Sequence, residues 1–113
     1  MKLYEIMCPV LTNDGYPTER GTKLFLRDVA TIAGGYTKLP ECEGFWRDPD
    51  SGKEYVEPMI PVRIACSARA MAQVVRAHQA AFPDQACVLW YAISDAVHFT
   101  NRPKVFKTSA HNA

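Results

Sequence analysis

The spacing of hydrophobic positions along this chain changes from strand-like to helix-like and back, twice. Residues Lys2 to Leu11 are rich in aliphatic, aromatic and β-branched groups and run into Asn13-Asp14-Gly15, which predicts a first strand leaving through a turn. From Pro17-Thr18-Glu19 the spacing lengthens: Phe25, Val29 and Ile32 recur at i, i+4, i+7 beside Leu26, Ala30 and Ala33. This predicts a helix capped by Thr18 and stopped by Gly34-Gly35. Gly21 in its first turns costs about 1 kcal/mol against alanine, which favours a later start.

Between Tyr36 and Cys66 the chain is extended and broken by Pro40, Gly44, Pro49, Gly52, Pro58 and Pro61. Asp48 to Gly52 predicts the turn of a hairpin joining Phe45-Trp46 to Tyr55-Val56. Pro58 and Pro61 call for an edge or a bulge around Met59-Ile60. Beyond them Val62, Ile64 and Cys66 should point one way and Arg63 the other. Ser67 is a good cap for a second helix, where Met71, Val74, Val75, His78 and Phe82 form one stripe before Pro83. Cys87 to Ile93 and Ala96 to Thr100 are expected as the last two strands. The order β-α-β-β-α-β, with an added hairpin strand, predicts an α+β fold: a ferredoxin-like two-layer sandwich, its antiparallel sheet carrying both helices on one face. The other face is left open, and with Met59 and either Trp90 or Tyr91 on it, a homo-oligomer is expected, a trimer before a dimer by fold analogy.

Composition narrows the class further. The 113 residues suit one α+β domain over residues 1–100, with 101–113 expected as a flexible basic tail. A formal net charge of +1 provides no field for nucleic acid or an anionic membrane, so neither is expected as a partner. No apolar run approaches the ~18 residues of a membrane span, and the acid Glu5 interrupts any signal-like segment, so a cytoplasmic protein is expected. Cys8, Cys42, Cys66 and Cys87 contain no C-x-x-C pair, and the histidines show no ligand spacing; reduced thiols follow, with no metal and no cofactor.

No nucleotide-binding or hydrolase motif is present. Glu57 is the most informative acid, because it sits in an apolar, proline-bracketed strand where a buried carboxylate needs a partner. That partner is either Arg63 on the same strand face, another cross-strand cation, or a cationic ligand. Trp46-Arg47-Asp48 can supply an aromatic platform and a charged clamp at a pocket mouth, or a packed indole beside solvated turn charges. Tyr36, Tyr55 and Tyr91 are sheet aromatics with a pocket role as the alternative. His78, on the apolar stripe, is expected to be a hydrogen-bonded core histidine.

At Val62-Arg-Ile-Ala-Cys66, followed by an alanine-rich helix and Asp84-Gln-Ala-Cys-Val-Leu-Trp-Tyr91, the chain resembles the small phage enzymes that degrade S-adenosylmethionine. Gly35-Tyr36 through Trp46-Arg47 is similar too, so the resemblance spans residues 34–92. It implies a sandwich assembled as a PII-like trimer with substrate between subunits, and a lyase step giving 5'-methylthioadenosine and homoserine lactone. It further implies Glu57 and Tyr55 as catalytic residues and Trp46, Arg63 and Tyr36 as substrate-binding ones. The family's acid lies just before the Val-Arg strand; here Glu57 is displaced by a residue or two and followed by Pro58. Gly44 to Glu57 also resembles a small bacterial domain of unassigned function. The competing expectation is a non-catalytic oligomeric module binding a small molecule or a host protein.

Overall fold

The structure is a computed structural model, and it describes residues 1–101; the expected C-terminal tail lies outside them but for its first residue. Five strands and two helices follow in the order β1 (Lys2–Pro9), α1 (Glu19–Ala33), β2 (Thr37–Lys38), β3 (Cys42–Arg47), β4 (Glu54–Cys66), α2 (Ala68–Ala81) and β5 (Trp90–Ser94). The sheet is antiparallel in order β2-β4-β1-β5, with β3 also paired to β4. This is the expected two-layer α+β sandwich.

Its spine is the pairing of β1 with β4, unbroken from Lys2↔Cys66 to Pro9↔Met59. Alternation along both strands sends Tyr4, Ile6, Cys8, Val62, Ile64 and Cys66 to one face. There they are buried against Phe25, Leu26 and Val29 of α1 and Met71 and Val74 of α2. Burial pushes the Cys8 thiol up to about 12 and leaves it inert. Cys87, expected in a core strand, is instead exposed, because the last strand begins only at Trp90. Ala96 to Thr100 forms no strand, since β5 already occupies the β1 edge through Leu3↔Ser94 to Ile6↔Trp90.

Each proline of β4 pairs within a ladder on one side and faces a gap between strands on the other. Pro58 lies past the end of β1, where its carbonyl accepts from the Val10 amide at 3.3 Å. Pro61 faces the joint between β2 and β3, where its carbonyl accepts from the Leu39 amide at 2.9 Å. Neither position needs the missing N–H, so a central strand tolerates both.

Helix ends follow their residues with one exception. The Ser67 hydroxyl accepts from the Ala70 amide, and Gly34 ends α1 at φ 87°, the left-handed conformation glycine favours. Thr18 stands at the N-cap of α1 without capping it; its hydroxyl donates to the Pro9 carbonyl at 2.6 Å and ties the helix to β1.

Gly21 belongs to α1 after all. A Cβ there would meet the Ala81 carbonyl oxygen at 2.9 Å and the Phe82 ring at 3.3 Å, so the helices approach closely because glycine is present. Gly21→Ala should therefore lose about 1–3 kcal/mol despite alanine's higher helix propensity, read by urea denaturation. An unchanged or raised midpoint would contradict the close approach.

His78 is buried among Phe25 and Phe82, with Nε2 at 2.9 Å from the Met7 carbonyl oxygen and Nδ1 without a partner among the described residues. Burial lowers its pKa, against the opposing pull of the Met7 contact. The unfolded chain thus binds a proton near pH 6.5 that the folded chain refuses. Stability should be full above about pH 6.5 and fall as pH drops below it. Urea midpoints between pH 7.5 and 5.5 should show this slope, and His78→Gln should flatten it.

Candidate functional site

The face of the sheet away from the helices carries every other residue of β4: Tyr55, Glu57, Met59, Pro61 and Arg63. Register adds Trp46, Gly44 and Cys42 from β3, Glu5 from β1 and Tyr91 from β5. All the sequence candidates except Tyr36 therefore share one face. They do not share one place on it. Glu57 and Arg63 are six residues apart in an extended strand, about 20 Å.

The far end is an arm. β4 is 13 residues long, and its first half pairs with β3 beyond the reach of both helices. Asp48 shapes its tip: one carboxylate oxygen accepts from the Asp50 and Ser51 amides, holding the Asp48 carboxyl below the usual range, while Gly52 takes φ 73°. Because no helix among the described residues covers the arm, apolar groups stand exposed on both its faces, Phe45 and Val56 on one, Trp46 on the other.

On the open face Trp46 and Tyr55 stack, ring centroids 4.5 Å apart and planes 12° from parallel, and Lys53 Nζ sits 5.1 Å from the Tyr55 centroid. Trp46 remains 48% exposed. Glu57 lies one step along the same face, about 7 Å on, opposite Gly44. Met59 lies over Gly44, its sulfur 2.8 Å from where a Cβ would stand. Glu57 is half-buried and has no hydrogen bond or ion pair among the described residues. Residues 41–57 hold six acids against two bases, in a chain whose net charge is +1. The arm is thus an acidic, aromatic surface suited to a planar cation.

The near end is a different cluster. Arg63 does not meet Glu57; its Nε donates to Glu5 Oε1 at 2.9 Å, and the Tyr91 hydroxyl donates to Glu5 Oε2. The expected Glu57–Arg63 partnership fails because the strand separates them, whereas β1 brings Glu5 directly opposite Arg63. The Glu5 side chain is only 11% exposed, that of Arg63 45%. Burial pushes the Glu5 carboxyl up, but hydrogen bonds from Tyr91 and Arg63, with the Arg63 charge, outweigh it and hold the group below its ordinary value. The same contact with Glu5 pushes the Tyr91 hydroxyl up. Thr37 completes the row from β2, and Tyr36, exposed, precedes it in the chain. Sequence reasoning passed over Glu5; an acid interrupting an apolar strand was the available signal.

The described residues contain no group of three or more His, Cys, Asp or Glu placed to hold a metal ion. A surface groove between the β1–α1 loop and the end of α2, lined by Thr12, Tyr16, Phe82 and Asp84, includes none of the sequence candidates. No helix among the described residues is long and apolar enough to cross a membrane.

This architecture is the ferredoxin-like α+β fold of the CutA and PII kind. Among solved structures it resembles the divalent cation tolerance protein CutA1 of Thermus thermophilus, at a TM-score of 0.67 and 12% identity over 87% of this chain and 86% of that one. CutA from Xylella fastidiosa matches at 0.65 and 19% identity, covering 86% and 85%. A phage SAM lyase in complex with S-methyl-5'-thioadenosine matches more loosely, at 0.47 and 15% identity over 81% and 88%. The likeness to the two CutA structures shows a shared fold and, at 12% and 19% identity, nothing finer. No protein-family model matches the sequence, and no curated protein does.

Replacing Tyr91 with Phe removes one of the two hydrogen bonds that hold Glu5 ionised. The Glu5 titration midpoint, followed by carboxyl carbon NMR, should rise toward the ordinary value. Stability that Glu5 contributes above its unfolded pKa, about 4.3, should then be lost at a higher pH on acidification. An unmoved midpoint would show that the Tyr91 contact does not form in solution.

Proposed function

We propose that the protein cleaves S-adenosylmethionine to 5'-methylthioadenosine and homoserine lactone, as a homo-oligomer and by resemblance a trimer. The observation that carries this reading is the half-buried Glu57, without a side-chain partner among the described residues, beside the Trp46–Tyr55 stack on an acidic arm. S-adenosylmethionine presents the complementary set: a flat purine, a sulfonium and an ammonium. Trp46 offers its free face to the purine, Tyr55 borders the sulfonium, and Glu57 accepts from the ammonium.

The reaction asks little of the protein. The substrate carboxylate attacks its own γ-carbon; a C–O bond forms as the C–S bond breaks, and the electron pair leaves on sulfur as a neutral thioether. No proton moves, so no general acid or added nucleophile is required, and holding carboxylate and γ-carbon in line contributes the acceleration. Opposite charges cancel as the bond forms, so a site closed from water favours the transition state.

One protomer cannot close this site. Arg63 and Tyr36, assigned here to substrate binding, lie about 20 Å along the strand from Glu57, farther apart than the ammonium and carboxylate of one substrate molecule. The apolar groups exposed on both faces of the arm give it reason to dock on a second copy, whose open face then supplies them. Four free cysteines suit a reducing cytoplasm.

Purified protein incubated with S-adenosylmethionine should yield methylthioadenosine and homoserine lactone by mass spectrometry. Glu57→Gln should lower turnover roughly 10²-fold with the light-scattering mass unchanged. With substrate held below KM, mixed Glu57→Gln and Arg63→Lys protomers should turn over more than the sum of the two variants assayed apart if two copies share a site. Survival of S-adenosylmethionine at high protein concentration would reject the enzyme and leave the non-catalytic oligomeric module.

A further inference from the structure

Resting on that reading, we propose that Arg63 receives the ligand's carboxylate and that Glu5 and Tyr91 are positioning residues that hold it in place. A guanidinium has five N–H donors, and a carboxylate fits best across two parallel ones. Arg63 commits only Nε to Glu5; its Nη groups donate to no acceptor among the described residues. An arginine present only to neutralise Glu5 would be expected to turn its fork onto it. This one meets Glu5 through Nε and keeps the two-nitrogen edge uncommitted.

The surroundings explain the orientation. Glu5 is nearly buried, and its second oxygen accepts from Tyr91, so the carboxylate is held from two sides and anchors the guanidinium at Nε. Both contacts come from strand neighbours in direct register, Glu5↔Arg63 and Glu5↔Tyr91, which makes the support as rigid as the sheet. Glu5 also balances the arginine's charge, so the face can be covered by a second copy without stranding an unpaired cation.

The chemistry indicates where Arg63 should register. During the displacement the substrate carboxylate gives up its charge, so a guanidinium holds the ground state at least as firmly as the transition state. Arg63 therefore acts in recognition, and its loss should appear in KM rather than kcat. It also selects for substrates bearing a carboxylate.

The test compares S-adenosylmethionine with decarboxylated S-adenosylmethionine, which lacks only that group and is read as a competitive inhibitor. Arg63→Lys should raise KM for S-adenosylmethionine about tenfold with kcat little changed, and leave inhibition by the decarboxylated analogue as in the wild type. Tyr91→Phe should shift KM in the same direction and less. Equal weakening toward both compounds, or no change toward either, would overturn the proposal. If the wild-type protein neither cleaves nor binds S-adenosylmethionine, the functional reading falls, and the side-chain nitrogen resonances of Arg63 decide the receptor separately. Displacement by succinate beyond that by phosphate at matched ionic strength supports it, and no such preference overturns it.

Discussion

The structure depends on the pairing of β1 with β4. Eight consecutive residue pairs fix a register in which even-numbered residues of both strands face the helices and odd-numbered ones face away. A slip of one residue would send Ile6, Cys8, Val62 and Ile64 to the open face and bury Glu5 and Arg63 under the helices, so the apolar pattern and the ion pair enforce the same alignment. The core and the near-end cluster are two faces of that one constraint.

From it follows the separation of the molecule into a body and an arm. The helices are long enough to cover the part of the sheet built on β1 and no more. β4 continues past the end of β1 with β3 beside it, and its apolar alternation continues where no other described residues cover it. An arm of this kind is stable as a two-stranded ribbon only with further packing, and exposed Phe45, Val56 and Trp46 provide the surface for it. The same geometry leaves Glu57 beside aromatic rings without a cation partner among the described residues.

The two charged clusters differ in what they are prepared to do. Glu5 is saturated by Arg63 and Tyr91, and its lowered pKa records that it already has its partners. Glu57 has none. A carboxylate with partners supports structure or positions another group, whereas one without them, half-removed from water, is available to a ligand.

Much of the fold is legible in the sequence. The 3.6-residue stripes of Phe25, Val29 and of Met71, Val74, His78, the caps Ser67 and Gly34, and the Asp48–Gly52 turn are local, set by residues within one or two turns of each other. The candidates Trp46, Tyr55 and Glu57 were equally visible, because a hairpin turn determines which residues of its two strands stand together. Three things were decided only by tertiary structure. Gly21 stays helical because α2 approaches it, Thr18 bonds to β1 instead of capping, and Arg63 pairs with Glu5, 58 residues away, instead of Glu57 on its own strand. Local spacing specifies which face a side chain takes. Which residue stands across from it depends on strands distant in the chain, and no periodicity within a single segment carries that information.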